Sequence, residues 1–188
     1  TSVIYMKLIK ITTNKFDVNI DLAYTKTSNF TGKKIYKNAN CYIHRDAIDN
    51  LNKAIFIALK IGYKIKILDA FRPSEAQKTL WKECPNPNFI TPPRKGSPHS
   101  RGIAIDLTLE HNNKILDMGT DFDHFSEKSF HGNTEINMSA QKNRMLLLGI
   151  MTTAGWDFYK NEWWHYQLYN SKKWPVLSDK VEKTRIMN

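Results

Sequence analysis

The stretch SPHSRGIAIDLTL, residues 97–109, places a histidine in a loop and then an aspartate inside an apolar run. If residues 103–109 form a β-strand, the four large aliphatic side chains share one face, whereas Ala104, Asp106 and Thr108 share the other. The aliphatic face is typical of a strand that covers a core. An unpaired carboxylate buried on the opposite face would cost on the order of several kcal/mol. We therefore expect a cation or a metal ion to compensate Asp106.

His99 is the first candidate for a group that shares a metal with Asp106, which it precedes by seven residues. A neutral imidazole, a carboxylate and one further nitrogen make up the three-ligand set of a catalytic zinc site. The pair alone is a weak motif, because a histidine and an aspartate at this spacing occur by chance in many chains. A purely structural role for both residues is the alternative at this point.

The segment NEWWHYQLY, residues 161–169, supplies the groups that such a site still lacks. His165 offers the second nitrogen ligand, and Glu162 offers a base. On a regular strand these two side chains would point to opposite faces, so we expect Glu162 to lie on the turn before the strand, next to Asn161. The alternative is that the aromatic residues belong to the core and that His165 is their hydrogen-bonded neighbour.

Two long helices are predicted. Residues 46–62 carry aliphatic side chains at helical spacing, with Leu59 among those expected on the buried face, and residues 139–155 begin at Ser139 as the N-cap. Each segment ends at a glycine, which is a typical helix stop. No repeat, low-complexity tract or linker divides the chain, so residues 1–188 are expected to form a single domain.

Three strands are predicted, at residues 63–71, 103–110 and 164–169. A proline-rich loop, residues 84–98, leads directly to His99. Helices and strands are mixed without strict alternation, which favours an α+β domain with a small mixed or antiparallel sheet flanked by helices.

The composition excludes several classes of function. Lys and Arg exceed Asp and Glu by 28 to 18, but the basic residues are scattered along the chain. Nucleic-acid binding is not expected, because it requires clustered positive charge. No apolar run is long enough to span a membrane.

The sequence leaves the redox state of the cysteines and the oligomeric state open. Cys41 and Cys84 are compatible with free thiols or with a single disulfide.

Both site segments resemble the signatures of the VanX-like D-alanyl-D-alanine dipeptidases, which are zinc peptidases. Residues 97–106 match S-x-H-x-x-G-x-A-x-D, and residues 162–165 match E-x-W-H. The likeness extends through YTKTSNFTGKKIY at 24–36, LDAFRP at 68–73 and MGTDFDHFSEKS at 118–129. It therefore covers most of the chain.

The resemblance implies one Zn²⁺ per chain and a role for each matching residue. Glu162 would be the catalytic base, and Arg72 would stabilise the transition state. Asp123 would lie near the ammonium group of the substrate. The other implied site residues are the zinc ligands His99, Asp106 and His165 and the substrate-binding residues Tyr24 and Ser97.

The implied function is hydrolysis of the dipeptide D-alanyl-D-alanine in bacterial cell-wall metabolism, for antibiotic resistance or for recycling. The sequence does not decide between the bacterial periplasm or envelope and the cytoplasm. The implied fold is shared with D,D-carboxypeptidases and with the zinc-binding domain of hedgehog proteins. A D,D-carboxypeptidase acting on longer muropeptides and a non-enzymatic zinc-binding module are the two alternatives. The segment 73–97 is shorter than expected for the resistance enzymes, which implies a more open pocket and leaves tolerance of longer substrates undecided.

Overall fold

The computed structural model describes residues 6–188, and within them the chain forms eight β-strands and four α-helices. The strands are β1 Leu8–Ile11, β2 Asn19–Ile20, β3 Cys41–His44, β4 Lys64–Asp69, β5 Ala104–His111, β6 Lys114–Ile115, β7 Asp157–Phe158 and β8 His165–Gln167. The helices are α1 Ile48–Lys60, α2 Ser74–Glu83, α3 Met138–Thr153 and α4 Asp179–Glu182. Helices and strands are mixed, which confirms the predicted α+β class.

The main sheet has the strand order β2-β4-β5-β8-β7, with β6 paired to β5. Strands β2 and β4 are parallel, whereas the other pairs in this sheet are antiparallel. Strands β1 and β3 form a separate antiparallel pair. The sheet is therefore mixed, as predicted.

Strand β5 lies in the middle of the sheet, and its register sets the position of Asp106. Asp106 is opposite His165 on β8 and opposite Asp69 on β4. Residues directly opposite one another on antiparallel strands point their side chains to the same face. The β4 register shifts between Ile67 and Asp69, and such irregularities re-aim side chains beside functional sites.

Helix α1 packs against β4 and α3. Its buried residues are Leu51, Ala54, Ile55 and Ala58, which recur at helical spacing. The prediction that Leu59 belongs to the buried face was wrong, because this side chain is 39% exposed. The buried stripe runs through the two alanines instead, and their small side chains allow close contact with the sheet.

Helix α3 begins one residue before the predicted N-cap. Asn137 has an extended backbone, and its side-chain oxygen accepts a hydrogen bond from the backbone N–H of Ala140 at 2.8 Å. The prediction of Ser139 as the cap was wrong, because Ser139 is already inside the helix. The predicted stop is confirmed, since Gly155 follows the helix with φ of 90°.

Two connections carry the chain around the site. Strand β4 ends at Asp69, earlier than the predicted strand, so residues 70–73 leave the sheet and carry Arg72 away from it. Helix α2 then leads into the predicted proline-rich loop, residues 84–98.

The structure also bears on the cysteines and on membrane insertion. Cys41 is buried on β3, and neither it nor Cys84 forms a disulfide. None of the helices in residues 6–188 combines the length and apolar character that crossing a membrane requires.

Candidate metal centre

One cavity, with a volume of about 250 Å³, brings the predicted site residues together. Pockets for drug-sized ligands usually enclose about 300–1,000 Å³, so this cavity suits a smaller molecule. All eight residues expected at the site line it, namely Tyr24, Arg72, Ser97, His99, Asp106, Asp123, Glu162 and His165.

Three of these residues form a compact triangle of ligand atoms. His99 Nε2 is 3.1 Å from Asp106 Oδ1 and 3.1 Å from His165 Nδ1. His165 Nδ1 is also 3.1 Å from Asp106 Oδ1. Asp106 is only 1% exposed, so its carboxylate is removed from bulk water.

The triangle fits a tetrahedral metal site. With metal–ligand distances of about 2.0–2.1 Å, the ligand atoms of a tetrahedral zinc site are roughly 3.3 Å apart. The three distances of 3.1 Å are close to that spacing. Three protein ligands also leave a fourth position for water or substrate, which is the arrangement of catalytic rather than structural zinc sites.

Hydrogen bonds on the far sides of the two imidazoles orient them toward the centre of the triangle. His99 Nδ1 donates to the carbonyl of Ala70 at 2.8 Å, and His165 Nε2 donates to Gln167 Oε1 at 2.9 Å. Each ring therefore presents an unprotonated nitrogen to the metal position, as ligating histidines usually do. Sequence reasoning missed Gln167, although its place two residues after His165 puts it on the same strand face.

Glu162 lies on the turn between β7 and β8, as predicted, and its carboxylate faces the metal position. Glu162 Oε2 is 3.9 Å from His165 Nδ1. Burial raises the pKa of Glu162 to about 7, with the charge of Asp106 acting in the same direction. The turn is held by backbone hydrogen bonds from His131 N to Lys160 O and from Trp163 N to Ser129 O. A carboxyl group with this pKa is suited to accept and return a proton near neutral pH.

Arg72 is a buried member of the site, and only 7% of it is exposed. Its Nε donates to Asp69 Oδ2 at 2.9 Å, and its Nη1 donates to Gln77 Oε1 at 2.9 Å. Its Nη2 is 3.6 Å from Asp106 Oδ2, which supplies the cation expected beside that aspartate. Sequence reasoning identified Arg72 but missed Asp69 and Gln77, which fix its orientation.

Tyr24 and Asp123 form a pair at another wall of the cavity. The Tyr24 hydroxyl donates a hydrogen bond to Asp123 Oδ2. Burial raises the pKa of the Asp123 carboxyl well above its usual range, whereas the Tyr24 hydrogen bond lowers it. An ammonium group entering the cavity beside Asp123 would favour its charged form.

Ser97 precedes the first metal-ligand candidate. Its Oγ accepts a hydrogen bond from the backbone N–H of His99 at 3.2 Å. The hydroxyl hydrogen of Ser97 is then available to a group inside the cavity, which its side chain lines.

The proline-rich loop also contributes to the cavity, through Pro87, Asn88, Phe89, Ile90 and Thr91. Sequence reasoning predicted the loop but named only Ser97 in it, and none of residues 87–91, as part of the site. No local pattern marks these residues, because loop residues meet a site through tertiary packing and not through periodicity.

The match to a known family extends over nearly the whole chain. The sequence profile of the D-ala-D-ala dipeptidase family of peptidases matches residues 5–184. The chain belongs to the D-ala-D-ala dipeptidase family. This assignment confirms the resemblance drawn from the two signatures and agrees with the mixed fold.

Curated members of the D-ala-D-ala dipeptidase family are clearly similar to this chain. The D-alanyl-D-alanine dipeptidase of Escherichia coli (strain K12) is 46% identical, over 87% of this chain and 85% of its own length. That of Enterococcus faecium is 34% identical over 80% of this chain and 86% of its own length. That of Enterococcus faecalis (strain ATCC 700802 / V583) is 35% identical over the same two shares, 80% and 86%.

The D-ala-D-ala dipeptidase family is one of peptidases that are typically metal-dependent, and this chain has a site that suits a metal. Within residues 6–188, one group of histidine, cysteine or acidic side chains is compact enough to hold a metal ion. Its members are His99, Asp106 and His165.

Proposed function

We propose that the chain is a zinc-dependent D-alanyl-D-alanine dipeptidase of bacterial cell-wall metabolism, with residues 1–188 as one catalytic domain. The observation that carries this proposal is the triangle of His99, Asp106 and His165 beside Glu162 in a cavity of about 250 Å³. The curated relatives named D-alanyl-D-alanine dipeptidase support the choice of substrate. Resistance and recycling are both compatible with this activity.

In the proposed site His99, Asp106 and His165 hold one Zn²⁺. Zinc in a three-ligand site lowers the pKa of water to about 7 and polarises a carbonyl group. Glu162 accepts a proton from the attacking water and returns it to the leaving amine. General-base and general-acid catalysis by one carboxyl group is most efficient when its pKa lies near the working pH, and burial shifts the pKa of Glu162 upward in that direction.

Arg72 is proposed to stabilise the negative charge that develops on the carbonyl oxygen. Asp69 and Gln77 fix its Nε and Nη1, so the guanidinium is oriented before the substrate arrives. A donor that is already oriented needs no rearrangement during the reaction, and such donors contribute about 10²–10³-fold to turnover.

The ends of the dipeptide are proposed to meet three further residues. Asp123, held by Tyr24, pairs with the substrate ammonium, and Ser97 donates its hydroxyl hydrogen to the bound dipeptide. A dipeptidase needs such a partner for the free amino group, whereas a carboxypeptidase acting on longer muropeptides does not. A structural zinc module would need neither Glu162 nor Arg72, since structural sites usually close the fourth position with a protein ligand.

The zinc-loaded protein is expected to hydrolyse D-alanyl-D-alanine but neither L-alanyl-L-alanine nor N-acetyl-D-alanyl-D-alanine. Acylation removes the ammonium charge that Asp123 recognises, and the L,L isomer points its methyl groups in the wrong directions. Product analysis by chromatography on each of the three dipeptides checks this.

Two results would contradict the proposed function. Faster hydrolysis of the acetylated dipeptide than of the free one would favour the carboxypeptidase. No hydrolysis of any D,D substrate, combined with a rise in melting temperature on zinc binding, would favour the structural module.

A further inference from the structure

An aromatic cluster joins three loops at one side of the cavity. Phe89 of the proline-rich loop stacks on Phe125, with ring centroids 4.8 Å apart and planes 21° apart. Phe125 also meets Phe30 edge-on, with centroids 5.0 Å apart. Phe125 is two residues from Asp123, and Phe30 contacts the Tyr24 ring, so the cluster adjoins the proposed ammonium site.

Phe89 lies at the border between the cavity and a second, narrow void. The void has no room for a water molecule, and its lining includes Phe89, Phe125, Ser126 and Asn161. Phe89 lines the catalytic cavity as well, and so do Asn88, Glu162 and Trp164 at the border between the two spaces. Phe89 is therefore part of the wall that the two spaces share.

The loop that carries Phe89 is held in place by contacts independent of any substrate. Gln77 Nε2 donates to the carbonyl of Thr91 at 2.8 Å. Backbone N–H groups of Phe89 and Ile90 donate to the carbonyl of Asn86. These contacts fix the backbone of the loop, and the stack on Phe125 fixes the Phe89 side chain. A wall fixed in this way excludes a longer ligand instead of yielding to it.

We propose that Phe89, supported by Phe125, is a specificity-determining residue that sets the upper limit on substrate length. This inference rests on the proposed function, because it concerns the same cavity and the same reaction. A peptide longer than two residues would have to displace the Phe89 ring and break its stack. The closure by Phe89 also offsets the more open pocket expected from the short segment 73–97.

Replacing Phe89 with alanine removes six ring carbons from the shared wall and joins the cavity to the void. The measured quantity is the ratio of kcat/KM for tri-D-alanine to kcat/KM for D-alanyl-D-alanine. We expect this ratio to rise at least about tenfold, since steric changes in a pocket commonly shift discrimination by that much. Phe125→Ala should raise it in the same direction, because Phe89 then loses its support.

Control variants separate this effect from general damage. Phe89→Leu is the milder variant, to be used if Phe89→Ala does not fold, and it should raise the ratio by a smaller factor. Phe56→Ala removes a phenylalanine on helix α1 that is 61% exposed, and it should leave the ratio unchanged.

Unchanged ratios in folded Phe89 and Phe125 variants would overturn the inference, as would wild-type protein that cleaves both peptides equally well. Failure of the wild type to cleave D-alanyl-D-alanine would instead overturn the proposed function.

Discussion

Glu162→Gln is expected to lower the turnover of D-alanyl-D-alanine by about 10⁴-fold, the upper end of the range for general-base catalysis. Glutamine has nearly the shape of glutamate but cannot accept the proton from water. The other two carboxylates among the cavity-lining residues have other partners, because Asp106 is part of the metal triangle and Asp123 is hydrogen-bonded to Tyr24. The metal should stay bound, since its three proposed ligands are intact.

The measurement for this variant is turnover together with zinc content in the same preparation. Glu135→Gln is the matched control, because Glu135 is exposed and lies outside the cavity, and it should behave as the wild type. Near-normal turnover in Glu162→Gln, or loss of its zinc, would show that the role assigned to Glu162 is wrong.

His165→Ala is expected to abolish stable zinc binding, and turnover with it. Two protein ligands hold zinc far less well than three. The loss of zinc affinity should exceed the roughly 10–100-fold weakening that follows removal of a hydrogen-bond partner of a metal ligand. Metal content after dialysis against a weak chelator, measured by atomic emission, checks this.

His111→Ala provides the control for the metal-binding experiment. His111 is an exposed histidine whose ring donates to the carbonyl of Gly62, away from the cavity. This variant should keep its zinc under the same dialysis. Zinc retained by His165→Ala at the wild-type level would exclude His165 as a ligand.

The part of the site that sequence could predict lies on regular strands and in two short signatures. Alternation along β5 places Asp106 on one face, and the position of Glu162 before β8 follows from the need to face the same side as His165. The resemblance then assigned Arg72, Tyr24, Ser97 and Asp123, and the structure places all four around one cavity.

The parts that sequence could not predict depend on tertiary contacts or on competition between neighbouring residues. Gln77 contacts Arg72 because the chain turns between β4 and α2. The hydrophobic pattern of the sequence does not predict the direction of that turn. Asn137 displaced Ser139 as the helix cap because its backbone is extended and its side chain reaches the free N–H of Ala140. Phe89 lies at the site through tertiary contacts, which include its stack on Phe125 from a separate loop and the hydrogen bond from Gln77 to Thr91.

The most direct test of the central claim is a zinc titration of the metal-free wild-type protein, with D-alanine release from D-alanyl-D-alanine as the readout. One site formed by His99, Asp106 and His165 predicts negligible release without metal. Release should then rise in proportion to added zinc and level off at one zinc per chain. The account would be contradicted if the metal-free protein were as active as the zinc-loaded protein, or if the protein with one equivalent of bound zinc were inactive.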